Sequence, residues 1–339
     1  MSQYSTTTNN HYDEILTNLV IGEMQGVDNF VADKIFPQYP VAKKTDKYYK
    51  WERDSFNRVG EMKPWAYGTP VENVEPKFSD DTYSCDVYAL GTSMNQDEVA
   101  NADAALRIRQ AKLLNLTNNV RIDRERKFLN TFFAAGAWGT DWTGVASNPT
   151  ATQVIHWDDY TNSNPVEDVI RMKTEMFVAS GGVGRPNVAL VTQDVMDVLY
   201  THPIIIAQAS GGATRANPTY RLENADVARA LGLDEILVQD ALENTAAEGA
   251  AEALGFMESK KFALYYRQPA GGGWMVPSAG FIFTWTAEAM NSGYGMEVHS
   301  FTGEYLQEQG IAERLQIRMA YDMKITSSNM GGIITGVLS

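Results

Sequence analysis

Side chains that do chemistry are sparse and scattered in this chain of 339 residues. The four histidines, His11, His156, His202 and His299, stand far apart, and none has a metal-ligand spacing. Cys85 is the one cysteine, which rules out an intramolecular disulfide and a cysteine-based zinc site. There is no G-x-x-x-x-G-K-[ST] phosphate loop and no G-x-S-x-G elbow. Gly181-Gly182-Val183-Gly184-Arg185-Pro186 resembles a phosphate cradle, yet it follows a predicted helix and reads as a helix-to-strand turn. Asp80-Asp81 and Asp158-Asp159 are adjacent carboxylates, a spacing that seldom places both in one site. The expectation is of a chain that is not an enzyme and holds no cofactor or metal.

What the sequence does concentrate is charge and aromatic surface. Residues 43–63 carry eleven charges: seven Lys or Arg and four Asp or Glu. They include Lys47, Lys50, Glu52, Arg53, Arg58 and Lys63, interleaved with Tyr49 and Trp51. These side chains suit contacts with another surface more than a solvated edge. A second basic group, Arg107, Arg109, Lys112, Arg121, Arg124, Arg126 and Lys127, stands against only Asp123 and Glu125. Such a stripe fits a solvated helix face, pairing with acidic groups on a neighbour, or nucleic acid.

The elements that position these groups can be read from periodicity. Residues 1–42 read as an arm: a polar start, then Ile15, Leu16, Leu19 and Val20 at helical spacing, Phe30 and Phe36, and the extended FPQYPV. Residues 43–63 and the alternating run Tyr83–Leu90 form a two-stranded excursion with an irregular tip, interrupted by Pro64, Pro70 and Pro76. From Thr92 to Ala135 there is neither Gly nor Pro. Ser93 with Gln96 predicts a capping box, and a long helix follows, whole or broken at Asn118-Asn119. Asn164-Pro165 with Glu167 predicts a second helix start. Strands at 187–191, 235–238, 262–266 and 281–285, with helices between them, predict a small α/β unit. His202 reads as a helix-end capping residue. From Arg314 to Thr326, apolar and polar residues alternate for 13 positions, which predicts an unusually long strand.

Composition narrows the class further. The net charge is −14, with 44% hydrophobic and 21% charged residues, as in ordinary globular proteins. No run of apolar residues is long enough for a membrane span, and MSQYSTTTNNHYDE carries no export signal. The acidic balance argues against a basic nucleic-acid binder.

The order of polar arm, charged excursion, long helix, α/β unit and long terminal strand resembles tailed-bacteriophage major capsid proteins of the HK97 fold. Four segments carry the resemblance: ADKIFPQYPVAKKTDKYYKWERDSF (32–56), LRIRQAKLLNLTNNVRIDRERKFLNTFFAAG (106–136), VEDVIRMKTEMFVASGGVGRPNVALVTQDVMDVLY (166–200) and IAERLQIRMAYDMKIT (311–326). It implies an α+β fold divided as N-arm (1–42), an extended E-loop hairpin (43–90), a P-domain with spine helix (91–164), an A-domain (165–295) and a P-domain return strand (296–339). It implies self-assembly through pentamers and hexamers into an icosahedral head shell. Ile15, Leu19, Phe30 and Phe36 would latch a neighbour from the arm, with Lys47, Tyr49, Lys50, Trp51, Glu52, Arg53, Arg58 and Lys63 doing so from the E-loop. The further partners implied are a portal protein, a separate scaffolding protein, a decoration protein and packaged double-stranded DNA in weak contact, with assembly in a bacterial cytoplasm. Two other readings stay open at this point. One is the shell of an encapsulin-like cellular compartment, and the other is a soluble enzyme with an unrecognised site.

Overall fold

The computed structural model describes residues 9–12, 29–51, 62, 64–71, 73, 78–100, 105–209, 222–247, 250–251, 253–269, 276–286 and 296–339. Ile15, Leu19, Glu52, Arg53, Arg58 and Lys63 lie outside them. In chain order the elements are β1 (Asn9–Tyr12), β2 (Gln38–Val41), β3 (Thr45–Trp51), β4 (Phe78–Ser84), β5 (Asp86–Asn95), α1 (Gln96–Ala100), α2 (Ala105–Phe132), β6 (Thr140–Val145) and β7 (Gln153–Ile155). There follow α3 (Pro165–Ala179), β8 (Val188–Thr192), α4 (Gln193–Thr201), α5 (Pro203–Ala209), α6 (Asn224–Ala230), β9 (Glu235–Gln239), β10 (Leu242–Asn244), β11 (Leu254–Phe256), β12 (Lys261–Tyr265) and β13 (Gly280–Trp285). β14 (Met296–Thr302), α7 (Glu304–Glu308), β15 (Ile311–Ile325) and β16 (Gly331–Thr335) complete the described elements.

Alternation along 314–326 predicts a long strand, and β15 runs for 15 residues, about 50 Å at 3.3 Å per residue. Its inward residues Leu315, Ile317, Met319, Tyr321 and Met323 are buried. That length lets β15 pair antiparallel with three strands, β5, β14 and β13. With β1 against β14 and β2 against β13, it organises the first six-stranded sheet. The second sheet has the order β7-β6-β16-β12-β8-β9. Side chains alternate across it. Leu190, Ala263, Tyr265 and Ile333 enter the core shared with α2. Ala189, Val191, Phe262, Leu264 and Ile334 enter a second core under α3, α4 and α6. At Gly331 a Cβ would lie 2.1 Å from the buried Trp138 ring, so only glycine lets β16 pass there.

Several local expectations hold. Asn164 caps α3 by accepting from the Glu167 N–H, with Pro165 in the first turn. Gly181 and Gly182, both at positive φ, end it. The boundaries 165 and 295 do not follow the sheets. β6 and β7 lie in the second sheet beside β8, β9 and β12, β16 joins them from the C-terminal region, and β13 belongs to the first.

The expected capping box at Ser93 is displaced. Pairing with β15 keeps residues through Asn95 extended, and Glu98 accepts from the Asn95 N–H instead. α2 then runs 28 residues with no break at Asn118-Asn119. Its last turn is closed by two buried donors, Tyr265 Oη and Trp138 Nε1, each 2.7 Å from the Phe132 carbonyl oxygen.

The arm expected over 1–42 is in part a piece of the subunit core. Val31, Ala32, Ile35 and Phe36 are buried among α2 and both sheets, and Phe30 packs against them. The Phe36 ring lies 4.6 Å from Phe132 and 5.2 Å from Tyr265, centroid to centroid. The apolar surface of Phe36 is thus used within its own chain, while Phe30 is only partly buried against the same core. β1 likewise pairs with β14 of the same chain.

Candidate assembly surfaces

The charged excursion is a hairpin of two antiparallel strands, β3 and β4, with Thr45 opposite Ser84 and Trp51 opposite Phe78. An isolated hairpin is marginal in water, and this one is anchored at its base. Tyr48, Tyr83 and Cys85 are buried with Val41, Phe281 and Phe283. Tyr83 stacks on Phe283 at 4.7 Å. Cys85 lies between β4 and β5, fully buried, donating Sγ–H to the Phe283 carbonyl, and burial pushes its thiol up to about 12. This cysteine is a packing residue rather than a nucleophile. It also divides the run read as one strand over 83–90: 83–84 belong to the hairpin, and 86–90 to the first sheet.

Two of the described lysines are matched across the hairpin's strands. Lys47 pairs with Asp80 at 2.6 Å and Lys50 with Asp81 at 2.6 Å, while Tyr48 Oη donates to Asp81. The hydrogen bonds from Lys47 and Lys50 hold the Asp80 and Asp81 carboxyls below their ordinary range. Burial, reinforced by Asp81, pushes the Tyr48 phenol well up. Cross-strand register thus already supplies carboxylates to these two lysines. Exposed pairs of this kind contribute little. Lys47→Ala is accordingly expected to leave the urea midpoint of the isolated subunit unchanged, as read by tryptophan fluorescence.

Apolar surface is what the hairpin leaves in water. Tyr49 is 67% exposed on the face opposite Tyr48. At the tip Met62 and Tyr67 are each 98% exposed, with Trp65 and Val71 beside them in sequence also exposed. Trp65 is held by an N–H donated to the Thr69 carbonyl and by the Tyr67 ring at 5.4 Å. Met62, Trp65, Tyr67 and Val71 escape a reading based on strand periodicity, since they lie in the tip. The signal available was aromatic residues between Pro64 and Pro70 where a loop would be polar.

The basic stripe on α2 is turned inward. Leu113, Leu116, Thr117, Arg121, Arg124, Glu125, Phe128 and Phe132 form the buried face, so charges occupy its middle turns. Arg124 pairs with Asp33, and its guanidinium lies 5.1 Å from the centre of the Tyr321 ring. Glu125 accepts from the Val31 and Ala32 N–H groups at 3.1 and 2.9 Å. Burial raises its carboxyl to about 7 against those bonds. Arg109 pairs with Glu313, Lys112 with Glu98, and Arg126 with Glu243 and Glu258. Lys127 sits over the Tyr88 ring. The backbone of Arg107 is helical. Within this stripe Arg109, Lys112, Arg124, Arg126 and Lys127 are engaged with acids or rings of their own chain, which speaks against a freely solvated or nucleic-acid-facing surface at these five.

His202 is fully buried. Its Nδ1 accepts from the Ile204 N–H and its Nε2 lies 3.2 Å from Ser163 Oγ, so it caps the start of α5, and burial lowers its pKa. Among the described residues no group of three His, Cys, Asp or Glu could hold a metal ion. Among the same residues no helix is long and apolar enough to cross a membrane.

No family model and no curated protein matches the sequence. Solved structures do. A phage-related protein from Bordetella bronchiseptica RB50 superposes with a TM-score of 0.65 at 16% identity, over 97% of this chain and 98% of that one. The capsid structure of cyanophage P-SCSP1u gives 0.57 at 9% identity, over 91% and 89%. A structure of Microbacterium phage Oxtober96 gives 0.53 at 10%, over 91% of both. The chain is similar to these in fold: a mixed α+β architecture of the HK97-like capsid type.

Proposed function

We infer that this chain is the major capsid protein of a tailed-phage head, assembling with copies of itself into an icosahedral shell around double-stranded DNA. The observation that carries the reading is the hairpin β3–β4. It is fixed at its base by buried aromatics and presents Tyr49, Trp65 and Tyr67 to water. A monomer gains nothing from such a device, whereas a shell whose subunits overlap does. In this reading β3–β4 and its tip are the E-loop, α2 is the spine helix, β15 is the return strand, and the unit around α3 and β8 is the A-domain. Residues before Phe30 are the arm. The E-loop grips an adjacent subunit through apolar and aromatic contact, with Lys47 and Lys50 matched to carboxylates of its own strands. The net charge of −14 suits a wall that holds DNA without binding it tightly. Portal, scaffolding and decoration proteins are the partners that go with this role.

The test is sedimentation velocity of the purified chain, with negative-stain microscopy of heavy species. Closed shells, pentamers or hexamers are the expected result, alone or on co-expression with a scaffolding protein. A chain that stays monomeric or dimeric in both settings overturns the reading. Shells that load protein cargo and have no portal vertex would make it a cellular compartment instead.

A further inference from the structure

Residues 29–36 form a strap that enters the subunit core, and its two halves are held in different ways. The second half is held by packing. Ile35 and Phe36 are buried in the core shared with α2. Arg267, itself paired with Glu235 at 2.6 Å, donates to the Lys34 carbonyl at 2.9 Å. The first half is held by polar groups. The Glu125 carboxylate accepts the Val31 N–H at 3.1 Å and the Ala32 N–H at 2.9 Å. Its neighbour on α2, Arg124, pairs with Asp33. The apolar anchors of this half are small: Val31 and Ala32 are buried, Phe30 is half-buried and Asn29 is exposed. Lifting the first half from α2 uncovers a valine and an alanine, whereas lifting the second would open the aromatic core. The line between them falls at Asp33–Lys34, where the Lys34 N–H closes a turn onto the Val31 carbonyl at 3.0 Å.

We propose that residues 29–33 are a proton-gated hinge, docked on α2 while Glu125 is protonated and loosened from it when that carboxyl ionises. Geometry sets the direction. In the docked state Glu125 is 1% exposed, and two N–H bonds do not replace the water that an anion would hold. Lifting the strap opens the side on which Val31 and Ala32 cover the carboxyl and returns it to water. The charged neighbours act in both senses. Asp33 on the strap opposes ionisation and Arg124 on α2 favours it. Arg121 stands one turn earlier on the same buried face. From β15 the Tyr321 ring meets the Arg124 guanidinium at 5.1 Å, and burial pushes its phenol up to about 12. For Glu125 burial outweighs the favourable bonds, so the docked carboxyl titrates near 7 and not at 4.5. Docking is therefore firmest at low pH, weakens as pH rises between those values, and loses at most about 300-fold. Residues 9–12 are held separately, as β1 on β14, which leaves the strap as the attachment that answers to protons. The hinge belongs to the single subunit and stands whether or not the chain builds a shell.

The test is hydrogen exchange of dispersed full-length subunits between pH 5 and 8, read by peptide mass spectrometry and corrected for the intrinsic exchange rate. The amides of residues 30–33 are expected to lose protection by about tenfold or more across that range. Their exchange should barely respond to urea below the unfolding midpoint, as local opening requires. The amides of residues 129–133 in and just after α2 should stay better protected and follow urea as global unfolding does. Glu125→Gln is expected to make the strap's protection independent of pH. Asp33→Asn, at an exposed position, removes an anion beside Glu125 and is expected to move the strap's transition to lower pH. Equal protection and equal urea response in the two segments would overturn the proposal, because the strap would then open only with the whole subunit. Strap protection that is constant with pH in the parent would overturn it too, as would a Glu125→Gln chain with the parent's slope. If Glu125→Gln does not fold, the parent's two segments and Asp33→Asn decide, and an unmoved transition in Asp33→Asn counts against the hinge.

Discussion

Replacing Phe36 by alanine is expected to destabilise the unassembled subunit by about 3–5 kcal/mol, the usual cost of truncating a buried phenylalanine. Phe36 is 2% exposed and touches the rings of Phe128, Phe132, Trp138 and Tyr265, four aromatics from three parts of the chain. Its loss leaves a cavity among rigid rings that cannot collapse cheaply. Against a typical total of about 5–15 kcal/mol this is a large fraction. The measurement is urea denaturation of dispersed subunits, with a lowered midpoint and an unchanged slope. A residue that only latched a neighbour would show no change in dispersed subunits, so an unshifted midpoint would return Phe36 to the arm.

The second large effect concerns Glu125, whose carboxylate is buried against the Val31 and Ala32 N–H groups, with Asp33 and Arg124 beside it. Its carboxyl titrates near 7 in the folded chain, raised chiefly by burial, against an ordinary 4.5. Between those values the folded state holds a proton that the unfolded state has lost. Stability from this group therefore falls as pH rises through that window and is level above it. The change is of order 3 kcal/mol at most. Glu125→Gln keeps an acceptor for the two N–H groups and cannot ionise. It is expected to flatten the pH dependence between 5 and 7, read as urea midpoints of variant and parent across that range. Parallel slopes in the two proteins would sink the assignment.

The contrast between these residues and the well-read parts of the fold shows where sequence reasoning runs out. The start of α3 was legible because capping is local: Asn164, Pro165 and Glu167 carry it within four positions. β15 was legible because its inward residues are uniformly apolar for several turns of the pleat. The inner face of α2 was not, because Arg121, Arg124 and Glu125 interrupt it. Glu125 answers to donors 93 and 94 residues away, at Ala32 and Val31. With partners so distant, a buried charge looks the same in sequence as an exposed one. β16 escaped for another reason. Gly331 is a poor strand former, kept because the Trp138 ring leaves no room for a side chain. Of the surface residues, Tyr49 is legible as an aromatic between charges, whereas the tip depends on what the fold leaves uncovered.

The placement of β15 and β16 has a consequence for biosynthesis. Each is an interior strand of its sheet, β15 between β14 and β5 and β16 between β6 and β12. During translation neither six-stranded sheet can close until residues 311–335 have emerged, so β5, β13 and β14 wait for β15, and β6 and β12 wait for β16, each with an unpaired edge. Such non-local closure is slow and leaves the nascent chain open to aggregation. It also acts as a timer. On the shell function inferred above, no copy would present both finished sheets to a neighbour while it is still being made.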